Sequence, residues 1–213
     1  MKPIETDDLT IHYDVKTCVH ARECVMGLPK VFDSDATPWI QPGDTPTEDL
    51  VRTIEACPSG ALTYERKAGQ DETPPRTNTV RLWENGPVEV HGDIRIEGQV
   101  PRTRALICRC GLTGNPPFCD NSHRDHFTAT GIPNLREKKD TELAETAGEV
   151  EITIFEDGPW ALKGNLEIIG QDGRRVARVE KAVLCRCGAS GDKPFCDGSH
   201  KKVGFTKPPV ATD

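Results

Sequence analysis

Two stretches of the sequence contain the same metal-binding residue types at the same spacing. Each has three cysteines and one histidine, arranged as Cys-x-Cys, eight further residues, and then Cys-x3-His. The candidate ligands are Cys108, Cys110, Cys119 and His123 in the first copy and Cys185, Cys187, Cys196 and His200 in the second. Thiolates and imidazoles bind zinc and iron. Each copy therefore offers four ligands, enough for one complete metal site.

The ligand set alone does not identify the metal. Three cysteines with one histidine form structural zinc sites, and cysteine with histidine also holds iron–sulfur clusters. The spacing alone therefore allows both an iron–sulfur protein and a zinc-stapled interaction module. The arginine between the paired cysteines, Arg109 or Arg186, is equally ambiguous: it is either a solvated side chain or a charge that tunes a cluster.

A third group of cysteines lies near the N-terminus. Cys18 and Cys24 occupy the first and third cysteine positions of the ferredoxin run C-x2-C-x2-C-x3-C-P, and Cys57, followed by proline, supplies a distant closing ligand. Ala21 stands at the second position. The alternative is three reduced cysteines that are buried without metal, since free cysteine packs well in protein cores.

The sequence around the repeated ligands is itself repeated. The segments 80–98 and 150–170 share a Gly-Pro pair and two further glycines at a constant offset of 72 residues. Both alternate apolar and polar residues and contain Asn-Gly or Asp-Gly, which predicts β-hairpins that lead into the metal loops. The polar segments 67–78 and 133–149 are predicted to be linkers.

The first 66 residues have a different pattern. Thr45-Pro46-Thr47-Glu48 predicts a capping box with proline at the first helical position. Leu50, Ile54 and Cys57 then fall on one face of a short helix. We therefore predict an α+β protein in which a small ferredoxin-like domain (9–66) precedes two β-rich domains (79–131 and 149–207).

Composition limits the classes of protein. The chain has 213 residues, a net charge of −7 and nine cysteines, an odd number that cannot all pair. The acidic charge disfavours nucleic acid as a partner, because phosphate binding needs a basic surface. No apolar run approaches the roughly 20 residues that span a bilayer, and no secretory signal is visible at the N-terminus. We therefore expect a cytoplasmic protein that does not bind membranes.

Both repeated strings resemble the signature C-x-C-x2-[S/T]-x3-P-x-C-D-G-[S/A/T]-H of the CDGSH iron–sulfur family, the NEET proteins. Asn121 replaces the signature glycine in the first copy. The resemblance implies a 2Fe–2S cluster in each copy, with the Cys-x-Cys pair on one iron and cysteine with histidine on the other. Members of this family pack two copies together, so the resemblance implies an internal pseudo-dimer within a monomeric chain.

The N-terminal segment, with CPSGAL near its end, resembles the divergent single-cluster 4Fe–4S domain family. In lacking the second cysteine, the segment resembles the single-cluster ferredoxins that hold 3Fe–4S. A 4Fe–4S cluster would need a fourth ligand, for which His20 is the nearby candidate. The resemblance thus implies one 3Fe–4S or 4Fe–4S cluster held by Cys18, Cys24 and Cys57, with His20 as a candidate fourth ligand.

These features predict a soluble electron-transfer protein that exchanges electrons with redox partner proteins. An alternative is a donor of clusters to acceptor proteins, or a redox and pH sensor, because histidine titrates near neutrality and a protonated ring does not bind iron. The zinc-stapled module is a further alternative. The sequence shows no Ser/His/Asp set, phosphate-binding glycine loop or paired carboxylates, so we do not expect an enzyme.

Overall fold

A computed structural model describes residues 2–135 and 140–207. The chain divides between Thr73 and Pro74 into two compact units, and this division falls within the predicted linker 67–78. Of the second predicted linker, 133–149, residues 136–139 lie outside the described residues. In the described part of the chain, no helix is both long enough and apolar enough to cross a membrane.

The first unit is a small three-stranded sheet with two helices. In chain order its elements are β1 (Ile4–Glu5), β2 (Leu9–Tyr13), α1 (Glu23–Gly27), α2 (Thr47–Glu55) and β3 (Leu62–Arg66). The strands are antiparallel in the order β1-β2-β3. Leu9 and Ile11 alternate inward from β2 and pack with Leu50 and Ile54 from α2, which confirms these two residues of the predicted apolar helix face, whereas Cys57 lies beyond the end of the helix.

The predicted N-terminus of α2 is wrong by one residue. Pro46 is the residue before the helix rather than its first residue, and no side-chain hydrogen bond caps the helix there. Thr47 instead uses its hydroxyl to donate to Asp8 Oδ2 at 2.6 Å. Glu48, the acid of the predicted capping box, accepts from the distant Arg66 at 3.0 Å.

The second unit is rich in β-strands and carries both metal loops. Its elements are β4 (Thr79–Leu82), β5 (Val88–Ile96), β6 (Arg102–Ile107), β7 (Glu149–Ile154), β8 (Trp160–Ile169), β9 (Arg175–Leu184) and α3 (Ser199–Lys202). The predicted hairpins are confirmed: β4 pairs with β5 around Asn85-Gly86, and β7 pairs with β8 around Asp157-Gly158. Asn85 and Asp157 both have φ of 50°, which such tight turns require.

Strand pairing in this unit has the same pattern in both repeats. The antiparallel pairs β4–β5 and β5–β6 of the first repeat correspond to β7–β8 and β8–β9 of the second. Two parallel pairs, β4–β8 and β5–β7, cross between the repeats. All six strands form one sheet, so the backbone hydrogen bonds of each repeat are completed by the other. The coarser prediction, a small N-terminal domain followed by a β-rich region, is confirmed.

The core of this unit follows from the alternation of its strands. Every second residue of β5 is buried, including Val90 and Ile94, and these pack with Ile152, Leu166 and Trp160. Burial of large apolar side chains is the main stabilising contribution available to such a small unit. The same core includes Cys108 and Cys110, so the first metal loop is continuous with the hydrophobic interior.

Candidate metal centres

Both metal loops begin where a long strand ends. Cys108 directly follows β6 and Cys185 directly follows β9. Each loop folds back on its strand, because Cys119 donates its backbone N–H to Leu106 O and Cys196 donates to Val183 O, both at 2.9 Å. The strand end and its returning loop therefore bring the four predicted ligands of each copy into one region.

The ligands approach one another as two pairs in each copy. Cys108 Sγ and Cys110 Sγ are 3.7 Å apart, and the corresponding sulfurs of Cys185 and Cys187 are 3.8 Å apart. A tetrahedral metal with metal–sulfur bonds of about 2.3 Å has a sulfur–sulfur edge of about 3.8 Å. Each Cys-x-Cys pair therefore already has the separation of two ligands on one metal ion.

The second pair of ligands combines a cysteine with a histidine. Cys119 Sγ lies 3.3 Å from His123 Nδ1, and Cys196 Sγ lies 3.4 Å from His200 Nδ1. The corresponding edge of a tetrahedral site with sulfur and imidazole ligands is about 3.6 Å. The Nδ1 atoms, rather than Nε2, therefore face the cysteine sulfurs in both copies.

The two pairs of one copy do not close around a single point. Within residues 2–135 and 140–207, no three His, Cys, Asp or Glu side chains are grouped so that they could hold one ion. A mononuclear zinc site needs all four ligands around one ion. A centre with two metals needs one pair on each metal, and each copy offers two such pairs.

The shared geometry of the two loops rests on side-chain hydrogen bonds within each loop. The hydroxyl of Thr113 donates to Phe118 O at 2.8 Å, and that of Ser190 donates to Phe195 O at 2.7 Å. Asp120 accepts backbone N–H groups from Gly114 and Ser122. Asp197 does the same for Gly191 and Ser199. The signature aspartate is therefore a brace for the loop backbone.

These hydrogen bonds favour the ionised aspartate. Burial acts to raise the pKa of Asp120, but hydrogen bonds from Ser122 and Gly114 outweigh it and the pKa is lowered. Hydrogen bonds from Ser199 and Gly191 lower the pKa of Asp197. Both carboxylates are therefore charged throughout the neutral range.

The turn between the third cysteine and the histidine is left-handed in both copies. Asn121 has φ of 71° and Gly198 has φ of 86°. Asparagine adopts this conformation more readily than most residues, so the departure from the signature does not change the backbone. The second copy continues into the short helix α3, which contains His200, whereas the first copy forms turns.

The paired thiols of the first copy share a proton. The hydrogen bond with Cys110 lowers the pKa of Cys108 to about 6, and the same contact, together with burial, raises the pKa of Cys110. Burial also raises the pKa of Cys119 to about 12 and that of Cys185 to about 11. Thiols with raised pKa values lose their protons when a metal cation replaces them, because the metal ligand is the thiolate.

Backbone N–H groups also point at the sulfurs. Gly111 donates to Cys108 Sγ at 3.3 Å, and Leu112 donates to Cys110 Sγ at 3.4 Å. Gly198 donates to Cys196 Sγ at 3.4 Å. Such hydrogen bonds stabilise negative charge on sulfur and are one way in which a protein raises the reduction potential of an iron–sulfur centre.

The metal loops of the two repeats are in direct contact. A Cβ added to Gly111 would lie 2.9 Å from Arg186 O and 3.3 Å from Cys187 Cα. A Cβ added to Gly188 would lie 3.0 Å from Cys110 O. In addition, Trp160 of the second repeat donates its indole N–H to Cys108 O of the first at 3.0 Å. Both glycines also have positive φ, so these positions exclude side chains on two grounds.

The arginines between the paired cysteines are buried, which the sequence alone did not decide. Arg109 is 1% exposed and Arg186 is 3% exposed. Burial lowers the pKa of Arg109 to about 10, and negative charge on Cys185 and then Glu84 opposes this change. Burial also lowers the pKa of Arg186, with negative charge on Cys108 opposing it. Both guanidinium groups remain cationic at neutral pH.

The first unit brings its three cysteines to one cavity. Cys18, Cys24 and Cys57 all line a space of about 350 Å³ together with Trp39. His20 lines the same cavity with an exposed side chain and a φ of 54°. All four predicted N-terminal ligand candidates therefore border the same cavity, although no three of these described side chains group tightly around a single ion.

Two residues of this cavity were missed by the sequence analysis. Burial and then a hydrogen bond with Cys18 raise the pKa of Tyr13, and charge on Cys24 and Cys57 acts in the same direction. Ser59 Oγ lies 3.5 Å from Cys57 Sγ. Tyr13 is at the end of β2, far from Cys57 in sequence, so only the folded structure identifies it. Ser59, in contrast, was visible two residues after Cys57.

Comparison with known proteins identifies two kinds of similarity. Residues 4–67 match the family model described as divergent 4Fe-4S mono-cluster, and residues 85–124 and 157–201 match the model described as iron-binding zinc finger CDGSH type. The uncharacterized protein YjdI of Escherichia coli strain K12 is 34% identical over 61 residues, which cover 29% of this chain and 80% of YjdI. YjdI of Escherichia coli O157:H7 has the same identity and coverage. Both resemblances drawn from the sequence are thereby confirmed.

Proposed function

We propose that this chain transfers electrons through three iron–sulfur clusters. It belongs to the divergent 4Fe–4S mono-cluster family through residues 4–67 and to the CDGSH-type family through residues 85–124 and 157–201. Two of them are 2Fe–2S clusters, one in each metal loop. The third is a 3Fe–4S or 4Fe–4S cluster in the N-terminal cavity. When bound, such clusters accept and release single electrons.

The observation that carries the proposal is the pairing of ligands in each loop. The Cys-x-Cys sulfurs stand 3.7 and 3.8 Å apart in the two copies, and the Cys–His pairs stand 3.3 and 3.4 Å apart. Two pairs at these separations suit two irons, each with two protein ligands. The alternative of a zinc-stapled module would place four ligands on one ion, an arrangement that neither described loop has.

The two repeats act together as an internal pseudo-dimer in this proposal. Matching strand pairs, two parallel pairings between the repeats and reciprocal contacts of Gly111 and Gly188 support it. Each metal loop contacts the backbone of the other. Neighbouring clusters in such an arrangement would exchange electrons without large movements of the chain.

The N-terminal cavity supports a third cluster. Its volume of about 350 Å³ and its three cysteines suit a group larger than a single ion. His20 is the proposed fourth ligand if the cluster is 4Fe–4S. A 3Fe–4S cluster would need Cys18, Cys24 and Cys57 alone.

The proposed setting is a reducing compartment, the cytoplasm. No disulfide joins any of the nine cysteines, all of which lie in the described part of the chain, and reduced thiols are typical of reducing compartments. The proposed partners are redox proteins rather than nucleic acid or membranes, and the chain acts as a monomeric carrier rather than as an enzyme.

The test is an absorption and EPR spectrum of anaerobically purified protein, with iron and sulfide counts. We expect four irons and four sulfides in the second unit, on the basis of one 2Fe–2S cluster for each copy. Cys119→Ser and Cys196→Ser should each remove about half of this content. A colourless protein with stoichiometric zinc and no sulfide would refute the proposal.

A second candidate function, donation of clusters to acceptor proteins, is favoured by one observation. Cys187 and Cys196 of the second copy are only half-buried, whereas the three cysteines of the first copy are buried. Partly exposed ligands are more accessible to a competing thiol. Transfer of the cluster to an apo-ferredoxin, compared with reduction by a flavoprotein reductase, separates donation from electron transfer.

A further inference from the structure

Arg109 and Arg186 lie inside the contact between the two metal loops. Each stands between the paired cysteines of its own loop, but its side chain is buried against aromatic rings rather than in solvent. The Arg109 guanidinium carbon is 5.4 Å from the centre of the Phe127 ring, and that of Arg186 is 5.1 Å from the centre of the Phe205 ring. Contacts of this kind favour a positive charge.

The two phenylalanines connect each arginine to the opposite loop. Phe127 Cε2 would be 3.4 Å from a Cβ at Gly188, and Phe205 Cε2 would be 2.7 Å from a Cβ at Gly111. Each ring therefore lies between the arginine of its own repeat and the glycine that follows the second cysteine of the other. The arrangement is reciprocal.

The hydrogen bonds of Arg109 leave its charge without a carboxylate partner. Its acceptors, among the described residues, are the main-chain carbonyl oxygens of Gly86, Thr130, Trp83 and Ala129. A buried cation is costly unless negative charge lies nearby. The Phe127 ring, against which the Arg109 guanidinium packs, lies beside Gly188 of the second loop.

Arg186 is connected to the first loop as Arg109 is connected to the second. It lies 5.9 Å from the centre of the Trp160 ring, and Trp160 holds Cys108 O by a hydrogen bond. The Phe205 ring, which also contacts the Arg186 guanidinium, lies against Gly111 of the first loop. Each arginine is therefore placed to act on the ligands of the other repeat.

We propose that Arg109 and Arg186 are reciprocal positioning residues, each of which stabilises negative charge on the cluster held by the opposite loop. The inference rests on the proposed 2Fe–2S clusters. Each cluster gains one electron, and one unit of negative charge, when an external one-electron reductant reduces it. A fixed cation nearby favours that reduction and raises the potential. The two sites are therefore coupled through the arginines.

The experiment is a potentiometric EPR titration of the full chain in which the two clusters are read separately. In a His200→Cys background the second cluster has four thiolates and a distinct signal, so the first is followed alone. A His123→Cys background isolates the second. Arg186→Met is then measured in the first background and Arg109→Met in the second.

We expect each methionine variant to reduce the equilibrium constant for reduction of the opposite cluster about tenfold, equivalent to about 59 mV for a one-electron couple. The cluster of the arginine's own loop should shift less than half as much. Arg109→Lys and Arg186→Lys retain the charge and should shift the opposite cluster by less than half of the methionine effect. Arg95→Met, at an exposed arginine paired with Asp93, is the control and should change neither potential.

Three results would overturn the inference: a larger shift in the arginine's own loop, an equal shift in both clusters, or a lysine variant that behaves like methionine. If a methionine variant loses clusters, loss confined to the opposite loop supports the inference and loss from both loops contradicts it. Iron and sulfide counts on the unsubstituted chain are made first. Absence of sulfide there would refute the proposed function itself, which separates the two failures.

Discussion

The two metal loops share their internal hydrogen bonds and differ in their surroundings. Thr113 and Ser190 make the same contact to a carbonyl oxygen, and Asp120 and Asp197 brace the same backbone positions. The cysteines of the first copy are nevertheless buried, whereas Cys187 and Cys196 of the second are half-buried.

The segments on the C-terminal side of the two loops bind the arginines in the same way. In the first repeat, the carbonyl groups of Ala129 and Thr130 bind Arg109 and close the loop. In the second, Arg186 likewise donates to Lys207 O at 2.7 Å, and the Lys207 N–H donates to Asp157 Oδ1 as the Ala129 N–H does to Asn85 Oδ1. A repeated local sequence therefore produces a repeated scaffold, whereas the short helix α3 follows the third cysteine in the second copy only, among the described residues.

The largest expected effect comes from breaking the contact that both loops share. Gly111→Ala places a Cβ against Phe205 and Arg186 O at a positive φ, and should lower the free energy of unfolding by about 3 kcal/mol. Because Gly111 touches the second loop, iron should be lost from both copies. Urea unfolding and iron analysis measure the two effects.

Gly173→Ala is the matched control for that change. Gly173 has a φ of +80° but no atom within 4 Å of an added Cβ. Its cost, about 1 kcal/mol, is that of the backbone conformation alone. Equal destabilisation by the two substitutions would show that the contact between loops has no energetic importance.

A smaller effect is expected when the hydrogen bond between repeats is removed. Trp160→Phe leaves the buried Cys108 O without its indole partner and should cost about 1–2 kcal/mol. Chelator-induced iron loss should accelerate at the first copy although the substituted residue belongs to the second. Trp83→Phe, which removes an indole hydrogen bond to Glu89 within one repeat, should leave the rate of iron loss unchanged at both copies. Faster loss at the second copy alone would contradict this prediction.

The dependence of stability on pH should distinguish the contribution of the two aspartates that brace the loops from that of the metal ligands. Burial acts to raise the pKa of Asp120, but hydrogen bonds from the side chain and backbone of Ser122 lower it, and those from the side chain and backbone of Ser199 lower the pKa of Asp197. Their contribution to stability is therefore complete above the unfolded pKa of about 3.9 and is lost as the pH falls through the folded values. Asp120→Asn and Asp197→Asn should lower the melting temperature at neutral pH and flatten its dependence on pH below about 4. A change in slope between about pH 5 and 7 would exclude this account.

The smallest effect concerns the departure from the signature glycine. Asn121 and Gly198 have nearly the same left-handed backbone. Asn121→Gly should stabilise the first copy by about 0.5 kcal/mol, and Gly198→Asn should destabilise the second by a similar amount. Equilibrium unfolding of both variants measures the change. A loss of stability on Asn121→Gly would mean that the asparagine side chain contributes more than its backbone strain costs.

Much of the candidate site followed from local sequence. The spacing of Cys108, Cys110, Cys119 and His123 predicts two pairs of candidate ligands, and the side chains of each pair lie close together because the loop is short and its turns are specified by glycine, proline and asparagine. The hairpins at Asn85-Gly86 and Asp157-Gly158 were predictable for the same reason. The start of α2 was not, because no side chain caps it and Glu48, the acid of the predicted capping box, accepts from the distant Arg66.

The sequence by itself determined that this chain presents three groups of metal ligands, which of its segments are repeated, and which two families it resembles. Only the tertiary structure decided that the repeats share one sheet, that their metal loops touch, and that Arg109 and Arg186 are buried between them. The physical reason is distance along the chain. Turn chemistry and ligand spacing act over a few residues, whereas burial and the charge around each loop are set by residues about 77 positions away.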